Sequence, residues 1–480
     1  MDSEKAASLV TSTTLTGIAI QRSRRRQTRR HLITRARVHV VALGALLFVT
    51  ACRSESSRPS WHLEAISSMT TPADPPLVCR VSIPTDAHAS ERAACAFNGG
   101  TLASESLGIP PTVADTLPIR HVIVVMRENR SFDHLWGALH ENGQPDADPI
   151  PTTFTNVDRV GATVAPYAQT NTCLSADPGH QWTEAHAAVD NGKMSGFVRT
   201  AANTTGTDGH FSMAEYDGDL LPFQHFLATS WAIADRHFSS VRGGTYPNRD
   251  FLLLGTSDGV YDTGNFPSPR TPSIFLTLMQ AGYTWGVYTD GTPLSGALDW
   301  QAGDPGTHPL ADFFAALDAG TLPNVVFVDG VDNVDDDHPP ADLQRGEAWL
   351  REIYDHALAS PAWSRLALLI TYDEAGGFAD HVPPGVGCIA RPLLQDLPFF
   401  ELGTRVPFVV VSPYARPGYV SHVVREHTAI TRFIETLFRL PALTARDANS
   451  DALLDMFDFS CDPPMLRPPP APPAGTGGCQ

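Results

Sequence analysis

Short, almost uninterrupted runs of apolar residues recur through the middle of the chain. Runs of this length are typical of strands that are buried on both faces of a parallel sheet. Segments with helical periodicity lie between and after them. The predicted strands are Val122–Met126, Val325–Val328, Leu366–Thr371 and Val406–Val411, and the predicted helices include Leu343–Ala359 and His427–Leu437. This alternation predicts an α/β fold, a three-layer helix/sheet/helix sandwich around a mainly parallel central sheet.

Polar residues directly follow three of the predicted strands. Glu128 and Asn129 lie just beyond the first strand. Asp329 follows the second, and Asp373 and Glu374 follow the third. Because ligands of open α/β sheets bind at the carboxyl ends of the strands, these side chains are expected to converge. Carboxylate and amide oxygens are the ligands that hard divalent cations prefer, so the pattern indicates a metal site. Each acid taken alone also fits an ordinary loop.

The segment Gly243–Arg249, with the sequence GGTYPNR, carries a third set of polar groups. Its two glycines allow the backbone to approach a ligand closely. Thr245 offers a hydroxyl group, and the guanidinium of Arg249 can bind two oxygens of a phosphate or sulfate group. Taken alone, the segment is better explained as an ordinary Gly-Pro turn.

The N-terminus differs in composition from the rest of the chain. Residues 1–51 hold nine basic and two acidic residues, and the apolar run Val38–Val49 has 12 residues. A transmembrane helix needs about 20 apolar residues, so the layout predicts a secretory signal over residues 1–52 instead. Val49–Cys52 resembles the lipobox of bacterial lipoproteins. Cys52 is therefore predicted to be lipidated and to hold the exported protein in the cell envelope, with secretion as the alternative. A buried helix behind a basic arm is the other interpretation.

The remainder of the chain divides by composition into three parts. Residues 53–76 are rich in Ser, Pro and Thr and predict a flexible tether. Residues 77–462 form the predicted folded domain, and residues 463–480 form a Pro/Gly-rich, irregular tail. A chain of this length buries roughly three quarters of its unfolded surface, so it needs no metal or disulfide merely to form a core.

The charge of the chain bears on its binding partners, and its cysteine content bears on disulfides. The 480 residues carry a formal charge of −18, and without residues 1–51 the chain keeps 25 basic and 50 acidic residues. Such a charge repels polyanions, so nucleic acid is not an expected partner. Six cysteines follow Cys52, an even number that predicts disulfides in an exported protein. The preferred pairs are those nearest in sequence, Cys79–Cys95 and Cys461–Cys479.

Placed together, four motifs resemble the phosphoesterase family. They are RENRSFDH at 127–134, TYPNR at 245–249, DHPP at 337–340 and TYDEAGGFADHVPP at 371–384. The family includes bacterial and plant non-specific phospholipases C and a branch of acid phosphatases, and it is related in fold to alkaline phosphatase. The resemblance extends over roughly residues 118–458. It implies an alkaline-phosphatase-like fold and a single catalytic domain.

The resemblance also implies roles for individual residues. Thr245 matches the nucleophile, and His180 and His338 look like the histidines that hold phosphoryl oxygens or protonate the leaving group. Arg249 and His381 are further catalytic candidates, although the motif of His381 also contains a structural turn. The implied metal ligands are Glu128, Asn129, Thr245, Asp373 and Glu374, which would hold one divalent ion (Ca, Mg, Mn or Zn).

The activity that the resemblance implies is hydrolysis of a phosphoric ester. The hypothesis is a phospholipase C that cleaves phosphatidylcholine-like phospholipids at a membrane surface, through a metal-activated Thr245 and a phosphothreonine intermediate. An acid phosphatase acting on small monoesters and a non-catalytic surface-binding lipoprotein remain open. A sulfatase is disfavoured because threonine cannot be oxidised to formylglycine. Ala375 and Ser195 stand where the family often has His and Asp, and both departures bear on substrate preference.

Overall fold

The computed structural model of the chain describes residues 81–174, 176–263, 271–295 and 306–475. The chain divides into two units, Met1–Met69 and Thr70–Gln480, and every described residue belongs to the second unit. The predicted signal at 1–52, with its lipidation site Cys52, and the predicted tether at 53–76 lie outside the described residues. They therefore stay predictions. Within the described ranges, no helix is both long and apolar enough to span a bilayer.

Strands and helices alternate along these residues. The strands are β1 (His121–Arg127), β2 (Asn156–Val157), β3 (Thr163–Val164), β4 (Tyr167–Ala168), β5 (Ala214–Glu215), β6 (Ala232–Ala234), β7 (His237–Phe238), β8 (Trp285–Tyr288), β9 (Thr307–His308), β10 (Val325–Val328), β11 (Leu366–Tyr372), β12 (Phe408–Val411), β13 (Val420–Ser421) and β14 (Arg425–Glu426). The helices are α1 (Ala89–Ala93), α2 (Ala103–Ser106), α3 (Pro111–Ala114), α4 (Phe132–Trp136), α5 (Trp182–Val189), α6 (Phe197–Thr205), α7 (Pro222–Ser230), α8 (Thr245–Leu254), α9 (Ile274–Gln280), α10 (Leu310–Ala319), α11 (Leu343–Ala359), α12 (Thr428–Phe438) and α13 (Ala445–Ala448).

Eight of the described strands form one central sheet, in the order β13-β6-β12-β11-β1-β10-β8-β9. β1 lies inside the sheet and runs parallel to both of its neighbours, β10 and β11. β8 and β9 continue the parallel order beyond β10. The prediction of a mainly parallel sheet is confirmed, and its first three predicted strands correspond to β1, β10 and β11.

The fourth predicted strand differs from its neighbours in direction. Val406–Val411 forms a strand only from Phe408 onward, and this strand, β12, is antiparallel to both β11 and β6. It begins after Pro407, whose nitrogen has no hydrogen to donate to a ladder. An apolar run indicates burial on both faces of a sheet but carries no information about strand direction. The mainly parallel sheet therefore includes an antiparallel strand, β12, whose direction the sequence analysis did not assign.

Helices surround the sheet and share one core with it. α10 contacts α11 and α11 contacts α7, while α8 contacts α12. Side chains of these helices and of the central strands belong to a single apolar cluster. Val124 and Val125, which point to opposite faces of β1, are both fully buried. This arrangement confirms the predicted α/β sandwich.

The two predicted helices are found close to their predicted limits. α11 spans Leu343–Ala359 as predicted. The residue before it, Asp342, caps the helix, because its side chain accepts a hydrogen bond from the Gln344 N–H at 3.0 Å. α12 begins and ends one residue later than predicted, at Thr428 and Phe438. Helical periodicity thus located both helices.

The disulfide pairing differs from the prediction. Cys95 is bonded to Cys388, which lies 293 residues away along the chain. The predicted Cys79–Cys95 pair is therefore wrong, because proximity in sequence does not decide which cysteines the fold brings together. Cys479 lies outside the described residues, so the pair Cys461–Cys479 stays a prediction.

The C-terminal tail is irregular, as predicted, but it packs closely against the domain. Met465 is buried in the main core, and its N–H donates to the Pro413 carbonyl at 2.9 Å. Farther along, the Gly475 N–H donates to the Glu347 carboxylate on α11 at 2.6 Å. The described part of the tail therefore belongs to the folded domain, despite its Pro/Gly-rich composition.

Candidate active site

The ends of two neighbouring strands bring four of the predicted ligands together. β1 and β11 pair in register so that Arg127 lies beside Tyr372, the last residue of each strand. The residues that follow each strand therefore leave the sheet at the same edge. The backbone N–H of Asn129 donates to Asp373 Oδ1 at 3.0 Å, and the Glu374 N–H donates to the same oxygen at 2.7 Å. The predicted convergence of the two pairs is observed.

Backbone geometry explains why the two turns can approach so closely. Asn129 has a φ of +63°, a left-handed conformation that asparagine tolerates better than most residues. Gly376 also has a φ of +63°, and a Cβ atom there would lie 2.4 Å from the Asn129 carbonyl oxygen. Glycine at 376 is therefore required for the turn after β11 to pack against Asn129.

Thr245 is presented to these carboxylates from the first turn of α8. Its Oγ1 donates to Glu128 Oε2 at 3.2 Å, and its backbone N–H donates to Thr263 Oγ1 at 3.1 Å. The preceding turn is held by Asn248, whose amide nitrogen donates to the carbonyls of Gly243 and Gly244 at 3.1 and 3.0 Å. Asn248 is buried, and the sequence analysis assigned it no role. A polar residue in the first turn of a buried helix was the one feature that could have indicated its role in holding this turn.

Arg249 lies one turn beyond Thr245 on α8, and its guanidinium is directed at two buried carboxylates. Its Nη2 donates to Glu128 Oε1 at 2.6 Å, and its Nη1 donates to Asp329 Oδ1 at 3.1 Å. Burial alone would lower its pKa, but Glu128 and Asp329 together hold the pKa of Arg249 above its ordinary value. Because carboxylates occupy both Nη atoms, Arg249 positions Glu128. The predicted contact with phosphoryl oxygens does not fit this geometry.

The carboxylates form a buried cluster with an excess of negative charge. Burial, and then repulsion from Glu128, raises the pKa of Asp373 well above its usual range. Burial and the charge of Asp373 do the same to the pKa of Glu374. Asp373 Oδ2 is buried and has no hydrogen-bond partner among the described atoms. A buried, unpartnered carboxylate oxygen costs free energy, and a divalent cation would remove that cost. The donor set therefore fits a hard divalent metal ion.

The side-chain amide of Asn129 links the carboxylates to two histidines. In the orientation that satisfies its hydrogen bonds, its nitrogen donates to Asp373 Oδ1 at 3.3 Å and its oxygen accepts from His338 Nε2 at 2.9 Å. The rings of His180 and His338 meet edge to face with their centroids 5.8 Å apart. Both predicted histidines thus lie beside the predicted metal ligands.

Hydrogen bonds fix which nitrogen of each ring faces the site. The Nδ1 atoms of His180 and His338 lie 2.8 and 2.7 Å from the carbonyl oxygens of Pro178 and Pro339. Because a carbonyl oxygen only accepts, Nδ1 carries the hydrogen in each ring. Nε2 is then the nitrogen that faces the site. In the protonated ring it carries a second hydrogen, as the bond from His338 Nε2 to Asn129 requires, and it can give up that proton or hold an anionic oxygen. Asp177, His180 and His338 form a group in which one potential metal-binding atom of each residue lies within 4.8 Å of those of the other two.

His381, the fifth predicted catalytic residue, occupies a different environment. Its Nδ1 and Nε2 lie 2.8 and 3.0 Å from the carboxylates of Asp133 and Asp148. Burial works to lower the pKa of His381, but the two carboxylates outweigh burial and raise the pKa to about 9. Arg405 donates to Asp133 at 2.8 Å and to Asp380 at 2.9 Å in the same network. Because both ring nitrogens are taken, the geometry assigns His381 to an ion-pair network that supports the turn.

A buried histidine that the sequence analysis missed contacts the backbone of a proposed metal ligand. His427 is fully buried, and its Nε2 lies 2.7 Å from the carbonyl oxygen of Asp373. Burial lowers its pKa to about 4, so the ring is neutral near pH 7 and Nε2 carries the hydrogen that this carbonyl accepts. The residue immediately precedes α12, where a lone histidine gave no signal of its role.

Comparisons with known proteins show which family the chain is similar to. The model of the phosphoesterase family matches residues 119–441, which include the cluster described above. Non-specific phospholipase C4 of Arabidopsis thaliana is 31% identical over 69% of this chain and 70% of its own length. Phospholipase C A of Mycobacterium tuberculosis (strain ATCC 25618 / H37Rv) is 30% identical over 76% of this chain and 82% of its own. A solved structure of a protein in the alkaline phosphatase superfamily from Vibrio parahaemolyticus aligns with 64% of this chain and 74% of its own, at 10% identity and a TM-score of 0.35.

Proposed function

The chain belongs to the phosphoesterase family, and from this membership we propose that it is a phosphoric ester hydrolase of the phospholipase C type. Its proposed substrate is a phosphatidylcholine-like phospholipid. One observation carries the proposal most directly: the hydroxyl of Thr245 donates to Glu128 at the edge of a buried carboxylate cluster. Relatives that are about 30% identical over most of the chain bear the name phospholipase C, which supports the choice of substrate.

The proposed metal ligands are Glu128, Asn129, Asp373, Glu374 and the hydroxyl of Thr245. One divalent ion, Ca, Mg, Mn or Zn, fits a cluster with one ligand pair at each of two strand ends. Such an ion lowers the pKa of a bound hydroxyl and neutralises negative charge on phosphoryl oxygens. Arg249 keeps Glu128 in position for this role, because its Nη2 lies 2.6 Å from Glu128 Oε1.

Thr245 acts as the nucleophile in the proposed reaction. Its hydroxyl gives its proton to Glu128 Oε2, to which it is hydrogen-bonded, and Oγ1 forms a bond to phosphorus while the bond from phosphorus to the glycerol oxygen breaks. His338 or His180 gives a proton from Nε2 to that oxygen, so diacylglycerol leaves as a neutral alcohol. The phosphorylated Thr245 still carries the headgroup. Water then gives a proton to the same Nε2 and attacks phosphorus. The bond from phosphorus to Oγ1 breaks, Glu128 returns its proton to Oγ1, and phosphocholine is released.

Replacement of Thr245 tests the proposal. Wild type, Thr245→Ala and Thr245→Ser are assayed on phosphatidylcholine and on an aryl phosphate monoester, with and without chelator. We expect the alanine variant to lose at least about a thousandfold in rate, while the four remaining ligands still bind metal at saturating concentration and the melting temperature is kept. We expect the serine variant to keep part of the activity.

Each outcome of that assay has a distinct meaning. Chelator-sensitive release of phosphocholine supports a phospholipase C, whereas phosphate release from the monoester alone indicates a phosphatase. Activity on neither substrate by a metal-loaded protein favours the non-catalytic lipoprotein. Near-normal turnover by Thr245→Ala removes Thr245 as the nucleophile.

We also propose that the protein is exported and anchored to the cell envelope through a lipid on Cys52. The basic and apolar residues of 1–52 support this location. The Cys95–Cys388 disulfide supports export as well, because disulfides persist in oxidising compartments outside the cytoplasm. Mass spectrometry of the mature N-terminus tests the anchor, since an unmodified Cys52 or an intact leader contradicts it.

A further inference from the structure

The loop of residues 387–400, called the leucine loop below, has an inverted arrangement of polar and apolar side chains. Leu394 is 87% exposed and Leu397 is 44% exposed, whereas Asp396 between them is 2% exposed. Every residue of the loop that is classed as exposed is apolar or proline: Ile389, Pro392, Leu393, Leu394, Leu397, Pro398 and Phe400. Folding in water normally places such side chains inside, so this surface requires an explanation.

The leucine loop is held in this shape by its buried side. Its two ends are joined where the Gly387 N–H donates to the Phe400 carbonyl at 2.7 Å. Cys388, next to that junction, is bonded to Cys95. Inside the loop, Arg391 Nε donates to Asp396 Oδ2 at 2.8 Å. These bonds hold the polar groups against the protein body, so the leucines remain outside.

The loop is fixed to two segments that also carry residues of the candidate active site. Thr256, just beyond the helix that begins at Thr245, donates to Asp396 Oδ1 at 3.1 Å. On the other side, the ring of Phe399 lies 5.3 Å from that of Trp182, two residues after His180. The loop is therefore fixed at the far end of the helix that carries Thr245 and, through Phe399, beside the segment that carries His180.

We propose that the leucine loop inserts its exposed side chains into the surface of a phosphatidylcholine bilayer and so places the active site against its substrate. The proposal rests on the proposed function for the identity of that substrate. An amphipathic surface binds a membrane by burying apolar side chains at the boundary of headgroups and acyl chains. The net charge of −18 favours a zwitterionic surface over an anionic one.

The chemistry of the loop favours a bilayer over a protein partner. Protein interfaces combine an apolar centre with a polar rim that supplies hydrogen bonds. Within 387–400 the leucines are the most exposed of the large side chains, because Gln395 and Arg391 are half-buried and Arg391 is paired with the buried Asp396. Acyl chains need no such rim.

The test uses the full-length chain with Cys52→Ser, which removes the predicted lipid anchor from every protein compared. In this background the leucines are replaced together by Leu393→Ser, Leu394→Ser and Leu397→Ser. The matched control is Val160→Ser, because Val160 is 88% exposed and lies outside the loop. A fourth protein carries Leu394→Trp, since tryptophan favours the membrane interface.

Two readouts separate binding from chemistry. Co-sedimentation with phosphatidylcholine vesicles measures binding, and hydrolysis of a short-chain phosphatidylcholine below its micelle concentration measures chemistry without a surface. We expect the triple variant to bind vesicles at least about tenfold more weakly, with the rate on the soluble lipid and the melting temperature unchanged. We expect Leu394→Trp to bind more tightly and Val160→Ser to match the parent.

Three results overturn the proposal. The first is equal vesicle binding by the triple variant and the parent. The second is a failure of the parent to bind vesicles, and the third is self-association of the parent that the leucine substitutions abolish, since the loop is then an interface between copies of the chain. A parent that binds vesicles through the loop but hydrolyses no lipid instead contradicts the proposed function and leaves membrane docking supported.

Discussion

Replacement of Asp373 tests the proposed metal site at a single residue. Its Oδ2 atom is buried without a partner, and its raised pKa reflects burial and the nearby charge of Glu128. We expect Asp373→Asn to weaken metal binding by about 10–100-fold or more. Because the substitution removes a buried charge, the metal-free variant should also be more stable than the metal-free wild type, by about 1 kcal/mol or more.

Two measurements check this prediction. Calorimetric titration gives the metal affinity, and thermal unfolding after chelation gives the stability. The exposed Asp355, which pairs with Arg351 on the surface of α11, supplies the control variant Asp355→Asn. Unchanged metal affinity in Asp373→Asn would remove this residue from the ligand set.

The raised pKa of His381 predicts a specific pH dependence of the stability of the fold. Its pKa is about 9 in the folded chain, against an ordinary value of 6.5. The folded protein therefore binds this proton more tightly than the unfolded chain, and the stabilisation is fully present below about pH 6.5 and is lost as the pH rises toward 9. We expect His381→Gln to be less stable than wild type at pH 6, by a few kcal/mol at most, and the difference to shrink by pH 9.

Denaturant unfolding at both pH values checks the role of His381. His308→Gln is a suitable control, because His308 is exposed and forms no ion pair with a carboxylate of the described residues. A stability difference that is the same at pH 6 and pH 9 would contradict the ion-pair role.

The sequence located the site residues better than it assigned their contacts. The residues after β1 and β11 could be predicted to converge because parallel strands end at one edge of a sheet. Arg249 differs, because its side chain lies four residues after Thr245 on the same helix face and meets Glu128 and Asp329 before it can reach a ligand. Such competition between partners depends on tertiary structure and is not visible in a motif.

At the scale of elements, the turn after β11 depends on a glycine that fits against the turn after β1. We expect Gly376→Ala to lower the rate by about a hundredfold or more, because its Cβ would lie 2.4 Å from the Asn129 carbonyl oxygen and displace a ligand. Gly206→Ala is the matched control, since Gly206 also has a positive φ, +74°, but nothing lies within 4 Å of its added Cβ.

The comparison of the two glycine variants separates the effect of backbone strain from the effect of displacing a proposed metal ligand. Both should lose about 1 kcal/mol of stability from the left-handed backbone alone. Only Gly376→Ala should lose activity, which steady-state assays on a soluble substrate measure. Full activity in Gly376→Ala would show that the close approach of the two turns is not needed for catalysis.

Element positions followed from the sequence where periodicity and capping agreed, as for α11. Strand direction did not, because β12 has the same apolar character as the parallel strands beside it. The short strands β6 and β13 also escaped prediction, since two or three residues are too few to show a period.

On the scale of the whole molecule, the Cys95–Cys388 bond joins the first described helix to the base of the leucine loop. We expect Cys388→Ser to lower the free energy of unfolding by roughly 2–5 kcal/mol, because the bond closes a long loop in the unfolded chain. Thermal unfolding of wild type with and without reductant provides the comparison. Identical melting temperatures in both conditions would contradict a stabilising role.

The sequence predicted a single folded domain but not how its ends are tied to it. The tail was expected to be irregular from its proline and glycine content, yet Met465 and Gly475 anchor it to the core and to α11. Composition predicts the absence of helices and strands, whereas packing depends on which surfaces the fold leaves available. The same limit explains the wrong disulfide prediction.

The central claim, that Thr245 attacks phosphorus and forms a covalent intermediate, is tested most directly by the stereochemistry of the reaction. A phosphatidylcholine analogue with one sulfur in place of a non-bridging oxygen is chiral at phosphorus, and its hydrolysis in isotopically labelled water gives a chiral product. Two successive in-line displacements, by Thr245 and then by water, predict net retention of configuration. Inversion would mean that water attacks phosphorus directly, and it would contradict the role of Thr245 as the nucleophile.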